Sequence, residues 1–217
     1  MIVVPTIPSS AAEFLPPRRT LSALATAAGG CRGCALYRDA TQVVFGSGPG
    51  TARLVLVGEM PGDAEDRAGR PFVGPAGTLL DQALAEAGID RLQVYITNAV
   101  KHFRFLAGAG RRLHKTPGPT HITACRPWLD AQLRAVTPQV TVCLGAVALR
   151  AVLGRPATIR SRRGRPFMHA TAGQVVATIH PSWLLRMPHG AQRDREWRLL
   201  CADLAGARAL LSGRPSR

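Results

Sequence analysis

No run of about 18 uncharged apolar residues occurs in this chain of 217, so no segment reads as a membrane span. The first residues also lack the early positive charge and unbroken apolar helix of a secretion leader, because Pro5, Pro8, Pro16 and Pro17 interrupt them. A cytoplasmic, monomeric protein without a membrane partner is the expectation. Acid is scarce: 13 Asp and Glu stand against 28 Lys and Arg, a formal net charge of +15 carried almost wholly by arginine. The planar arginine fork makes several contacts to phosphate oxygens at once, so a polyanion is the natural partner. An arginine-rich composition inherited from a GC-rich genome would look the same at this level. A disulfide framework is not expected either. Five cysteines is an odd count, and in a chain without an export signal it points to metal ligation or reduced core thiols.

What is present fits one domain of ordinary size, with 46% hydrophobic residues. Short β-branched apolar runs alternate with longer helical patterns, which predicts an α/β fold, a three-layer α/β/α sandwich around a central parallel sheet. Strands are expected at 53–58, 94–98, 139–144 and 175–179, each apolar throughout, as suits strands covered on both faces. Helices are expected at about 20–29, 76–87, 119–136, 145–153 and 191–211. Residues 1–19 read as a loosely held tail, 20–211 as the single domain and 212–217 as a second tail. Two stretches, 61–75 and 101–119, fit neither helix nor strand. Each follows a strong strand, and ligands of open α/β sheets bind where loops leave the carboxyl ends of strands. With the turn after Ile179, these loops should face one shared cleft.

Cys31-Arg-Gly-Cys34 is a CxxC in a glycine-containing turn, which lets two thiolates converge on one metal centre. Cys125, on a helix that could fold back over the turn, makes a third ligand. Cys143 and Cys201 fall in apolar patterns and read as core residues. For the fourth position the residues leave both His102 and His121 open, and both zinc and an iron-sulfur cluster are chemically acceptable.

The loop after the first strand reads Gly58-Glu-Met-Pro-Gly-Asp-Ala-Glu-Asp66, followed by Arg70-Pro-Phe-Val-Gly-Pro-Ala-Gly77. Its glycines and prolines make a stiff backbone able to approach a ligand, with carboxylates projecting into the cleft. An acidic loop that only caps the next helix would read similarly. Taken with CxxC, the run Tyr95-Ile-Thr-Asn98, Cys125-Arg-Pro-Trp-Leu129 and the late His180-Pro-Ser182, this pattern resembles family 4 uracil-DNA glycosylases over residues 31 to 182. The resemblance implies a [4Fe-4S] cluster and uracil-containing DNA, preferably single-stranded, as substrate.

Two departures from family 4 direct the resemblance to the UdgX branch. His102 stands where family 4 has Cys, and Arg111-Arg-Leu-His-Lys115 is similar to the histidine-bearing loop of UdgX. Met60 and Gly110 depart in turn from that branch, which has Gln and Lys there. The resemblance implies Cys31, Cys34, His102 and Cys125 as cluster ligands. It implies Glu59, His114 and His180 as catalytic residues, and Phe72, Asn98, Met60, Asp63 and Asp66 around the uracil. Arg111, Arg112, Lys115 and Ser182 are expected on the DNA. An extruded uracil would stack on Phe72 and pair with the Asn98 amide while His180 donates to its oxygen. Glu59 would stabilise the sugar, and neutral His114 would attack the anomeric carbon to leave a covalent protein–DNA adduct. A multiple-turnover glycosylase using water, a non-catalytic iron-sulfur DNA-binding protein and a zinc-stabilised module are the alternatives. As one more basic residue against phosphate, His114 would have no chemical role.

Overall fold

The computed structural model of the chain describes residues 10–108 and 110–212. Its strands are β1 (Leu54–Gly58), β2 (Val94–Asn98), β3 (Phe105–Gly108), β4 (Arg111–His114), β5 (Val140–Leu144), β6 (Phe167–His169) and β7 (Gly173–Thr178). Five of them form one sheet in the order β2-β1-β5-β7-β6. The four apolar runs expected as strands pair in parallel, and β6 closes one edge antiparallel to β7. This is the α/β/α sandwich read from the sequence, with an antiparallel edge that the three-residue β6 was too short to announce.

The helices are α1 (Leu21–Ala28), α2 (Asp63–Ala68), α3 (Pro75–Glu86), α4 (Pro119–Val136), α5 (Ala146–Leu153), α6 (Ile159–Arg162), α7 (Pro181–Arg186) and α8 (Ala191–Ser212). Alternation along each strand divides the core into two. Val55, Val57, Tyr95, Cys143, Val175 and Ala177 face α1, α4 and α5 with Trp128 and Leu129. Leu54, Leu56, Val94, Ile96, Val142 and Val176 face α3 and α8 with Leu80, Leu84, Leu200 and Leu204. Both faces of every central strand are thus apolar, which explains the uninterrupted runs in the sequence. Cys143 and Cys201 are buried core residues, as expected.

Three expectations are corrected. The stretch 61–75 contains α2, whose Glu65 accepts from the Gly62 amide at 3.1 Å, so the acidic loop does cap a helix. The stretch 101–119 contains the hairpin β3–β4, with Phe105 opposite His114 and Leu106 opposite Leu113. Of the expected N-terminal tail, residues 1–9 lie outside the described residues; Ala11–Phe14 form a 3-10 turn, and Ala11 is buried against the core. Residues 213–217 of the C-terminal tail also lie outside the described residues.

The direction of strand succession reverses between β1 and β5, because β2 lies to one side of β1 and β5 and β7 to the other. The carboxyl ends of strands beside such a reversal leave a crevice between diverging loops. Glu59 follows β1, Asn98 ends β2, Gly145 follows β5 and His180 follows β7, so one end of the sheet collects most of the expected site.

Candidate active site

A cleft of about 350 Å3 opens at that end of the sheet, lined by residues that include Met60, Phe72, Asn98, His114, His180 and Arg186. Its floor depends on Gly58, which pairs with Asn98 at the last position of the β1–β2 register. A Cβ at Gly58 would stand 2.7 Å from Phe72 Cζ and would also strike the Asn98 amide, so the strand must end in glycine for both side chains to enter. Phe72 adopts φ 54°, a left-handed conformation that costs a non-glycine residue about 1–3 kcal/mol. The surrounding loop holds it there. The Glu65 carboxylate accepts from the amides of Val73 at 3.0 Å and Gly74 at 2.7 Å, as well as from Gly62. Glu65 therefore braces the turn that presents Phe72.

The Phe72 ring stacks on His180 with centroids 5.6 Å apart and planes inclined by 30°. His180 caps α7, and its Nδ1 accepts from the Ser182 amide at 3.2 Å. That bond places the ring proton on Nε2, leaving a neutral donor. Ser182 Oγ lies 2.9 Å from the same Nδ1 and accepts from Arg186 at 3.2 Å, so α7 holds the ring from behind. Burial, aided by His114 and Arg186, pushes the His180 pKa down to about 4. Asn98 is buried, and its Oδ1 has no hydrogen-bond partner among the described residues. A buried unpaired acceptor beside a cleft calls for a ligand donor.

Glu59 and His114 meet at the rim. His114 Nε2 lies 3.7 Å from Glu59 Oε1, and Oε1 is likewise buried without a hydrogen-bond partner among the described residues. Burial raises the Glu59 pKa, against the opposing effects of a hydrogen bond from Thr116 and the charge of Arg186. Burial and then Arg186 lower that of His114, and the ring also hydrogen-bonds its own backbone. Of the two ring nitrogens, Nε2 is the one that faces Glu59.

His114 reaches this position through the hairpin, and one side chain ties the hairpin down. Arg112, on the same face of β4, forms ion pairs with Asp63 and with Asp66, the latter at 2.6 Å, and lies over the rings of Phe103 and Phe105. Asp66 also accepts from the Thr41 amide at 3.0 and 3.1 Å. This corrects three expected roles: Asp63 and Asp66 do not line the cleft, and Arg112 is committed to them rather than free for phosphate. Arg111 is exposed, as is Lys115, whose amide extends the hairpin ladder to Arg104. Ser182 lies in the cleft wall, with its hydroxyl already engaged by His180 and Arg186. Glu65 and Arg186 were missed in the sequence. A glutamate at the third position of α2 was a legible capping signal, but nothing marked Arg186.

On the opposite side of the sheet the expected metal ligands come together in part. Cys31 Sγ accepts from the Trp128 indole at 3.2 Å, and Cys125 Sγ from the Lys101 amide at 3.3 Å. Burial above all, with smaller contributions from Cys34 and Cys31 and against the opposing charge of Lys101, pushes the Cys125 pKa up to about 12. His102 is buried next to Lys101. His121 is spent elsewhere, its Nδ1 accepting from the Gly118 amide at 3.1 Å as a cap of α4, which removes it as the alternative ligand. Among the described residues no three His, Cys, Asp or Glu groups are gathered closely enough to hold a single metal ion. Cys31, Cys34 and Cys125 are free thiols, and the sulfurs of Cys31 and Cys125 each receive an N–H donor.

The open parallel sheet and the cleft at its strand ends match a known class. The sequence profile of the uracil DNA glycosylase superfamily covers residues 45–205, and the chain belongs to that superfamily. Within it, the chain is 39% identical to a type-4 uracil-DNA glycosylase of Thermotoga maritima, over 83% of this chain and 89% of the relative. It is 36% identical to that of Archaeoglobus fulgidus, over 73% and 79%, and 33% identical to a type-5 uracil-DNA glycosylase of Pyrobaculum aerophilum, over 60% and 62%.

Proposed function

We propose that the protein is a uracil-DNA glycosylase that acts on extruded or single-stranded deoxyuridine and ends joined to the DNA through His114. The observation that carries this reading is the His114 Nε2 atom 3.7 Å from a buried Glu59 carboxylate oxygen, at the rim of a cleft lined by Phe72, Asn98 and His180.

Uracil stacks on Phe72 and supplies the donor that Asn98 Oδ1 lacks, while the Asn98 NH2 group donates to a uracil carbonyl. Heterolysis of the C1′–N1 bond sends the electron pair into uracil, and His180 Nε2–H donates to the oxygen on which that charge gathers. The positive charge left on the sugar is met by Glu59. The His114 Nε2 lone pair then forms the new bond to C1′, and the Nδ1 proton of the resulting imidazolium leaves to solvent from a half-exposed ring. Once that proton is gone, reversal would have to expel an imidazolate, a poor leaving group, so the adduct persists. Cys31, Cys34, Cys125 and His102 are the residues that would hold a [4Fe-4S] cluster. Its role there would be structural, tying together the CxxC turn, the segment after β2 and α4.

The type-4 relatives favour a second reading in which water takes the place of His114 and the enzyme turns over. Counting released uracil separates the two. With excess single-stranded uracil oligonucleotide, release should stop after about one equivalent per enzyme. Continued release would establish the second reading, and none at all would reject both.

A further inference from the structure

Between Asp130 and Asp194 the sequence holds no acidic residue, and within that stretch residues 155–165 read Arg-Pro-Ala-Thr-Ile-Arg-Ser-Arg-Arg-Gly-Arg, five arginines in eleven residues. The segment carries α6 and the turns on either side of it. One of its arginines is spent on the fold. Arg163 pairs with Glu196 and with Asp203, both at 2.7 Å, and Asp203 also accepts from the Thr178 hydroxyl at 2.5 Å. The other four make no ion pair among the described residues. Arg155, Arg160 and Arg165 are exposed, and Arg162 lies 4.9 Å over the Phe167 ring, a contact that uses the face of the guanidinium and not its N–H edge.

The placement of this segment gives the charge a use. α6 packs on β7, and Ile159 touches both apolar layers, as a residue closing the edge of a sheet does. Through Asp203 the Arg163 guanidinium is tied to Thr178, the last residue of β7 and two residues before His180. The segment is therefore fastened beside the carboxyl end of β7, the end at which the cleft opens. The carboxylates that meet it, Glu196 and Asp203, are held by Arg163 and do not oppose a phosphate at the other four arginines. We infer that Arg155, Arg160, Arg162 and Arg165 form a second DNA contact surface, which holds the phosphates of the strand running out of the cleft past the β7 edge. This surface extends the proposed substrate beyond the extruded nucleotide and so rests on that reading. Arginine forks on phosphate oxygens supply affinity without reading sequence, so the surface takes a strand of any base composition and the cleft alone selects uracil.

The test measures binding of the full-length protein to uracil-free single strands of about 4 and about 16 nucleotides over a range of salt. The triple variant Arg155→Gln, Arg160→Gln, Arg165→Gln is compared with the wild type and with Arg53→Gln, Arg91→Gln, Arg134→Gln. The second triple removes the same charge from positions shortly before β1, β2 and β5, at the other end of the sheet. Each phosphate contact on a single strand contributes about 0.7 to the slope of log affinity against log salt, so losing three should lower the slope for the long strand by about 2. The short strand should bind all three proteins nearly alike, and uracil release from a short uracil-containing strand should keep its wild-type rate. An unchanged slope on the long strand would overturn the inference, and a surface made for an acidic protein would give that result. An equal loss in the second triple variant would also overturn it, by tracing the effect to net charge. The binding strands hold no uracil, so wild-type protein that excises no base would reject the glycosylase reading and leave the slopes to decide this surface.

Discussion

The two halves of the cleft are built on different physics. Phe72, Asn98 and His180 stand at the ends of parallel strands or on loops braced against them, backed by two apolar layers. Asn98 and its neighbour Gly58 share the last rung of β1 and β2. His114 sits on a two-stranded hairpin outside the main sheet, with Leu106 and Leu113 exposed and Arg112 as its main tie. The half proposed to hold the base is fixed by burial, and the half proposed to react by a few charge-assisted bonds. Recognition of uracil and capture of the sugar should therefore fail separately.

The strongest break on the recognition side is His180→Ala. Losing one preorganised donor to a developing oxyanion costs about 10²–10³-fold in rate, so single-turnover uracil release should fall by that order, and adduct formation with it. The matching break on the hairpin side is Arg112→Met, which strands Asp66, a carboxylate with a fully buried side chain. Removing one partner of a buried pair costs about 3–5 kcal/mol, and a misplacement of about 1 Å about 10²-fold in rate. Adduct formation should drop by roughly that factor while uracil release drops less, as read by gel and by liberated base on the same samples. Equal loss of both would show that the halves are not separable.

Acidity sharpens the same contrast. In the proposed reaction His114 must be neutral, and burial lowers its pKa from 6.5; Glu59 must be ionised, and burial raises its pKa from 4.5. The two shifts act in opposite directions, so the adduct rate should hold from neutral pH into mild acid and decline only below 6.5. His180, at about 4, stays neutral through most of that decline. A pH profile of single-turnover adduct formation checks this, and a midpoint above 6.5 would contradict the burial of His114. The smallest effect belongs to Leu113→Ser on the outward face of the hairpin. Exposed substitutions usually stay within about 0.5 kcal/mol, so melting temperature and adduct rate should barely move.

The same contrast sets how much was legible in the sequence. β1, β2, β5 and β7 were visible because both faces of each are covered, which leaves apolar runs such as Leu54-Val-Leu-Val57. α3, α4, α5 and α8 began and ended within about two residues of expectation, helped by Gly88 and Gly154 just past helix ends. The hairpin was not visible. Its strands have four residues each, and it is tied down by long-range contacts, chiefly the ion pairs to Asp63 and Asp66 and the packing of Phe105 on the core. No local pattern encodes such pairs, which is also why Asp63, Asp66 and Arg112 were assigned to base and phosphate. Phe72, Asn98, His180 and Glu59 were named by motifs and lie at or beside the cleft. Arg186 and Glu65 were not, since their work shows only when α7 and α2 fold against the cleft.

The most direct test of the central claim is denaturing electrophoresis of the wild type and His114→Ser after mixing with single-stranded uracil DNA. A shifted band that resists denaturation is expected for the wild type and none for His114→Ser, with the serine variant still able to release uracil. No shifted band in the wild type, or an equal one in both, would contradict capture of the sugar by His114.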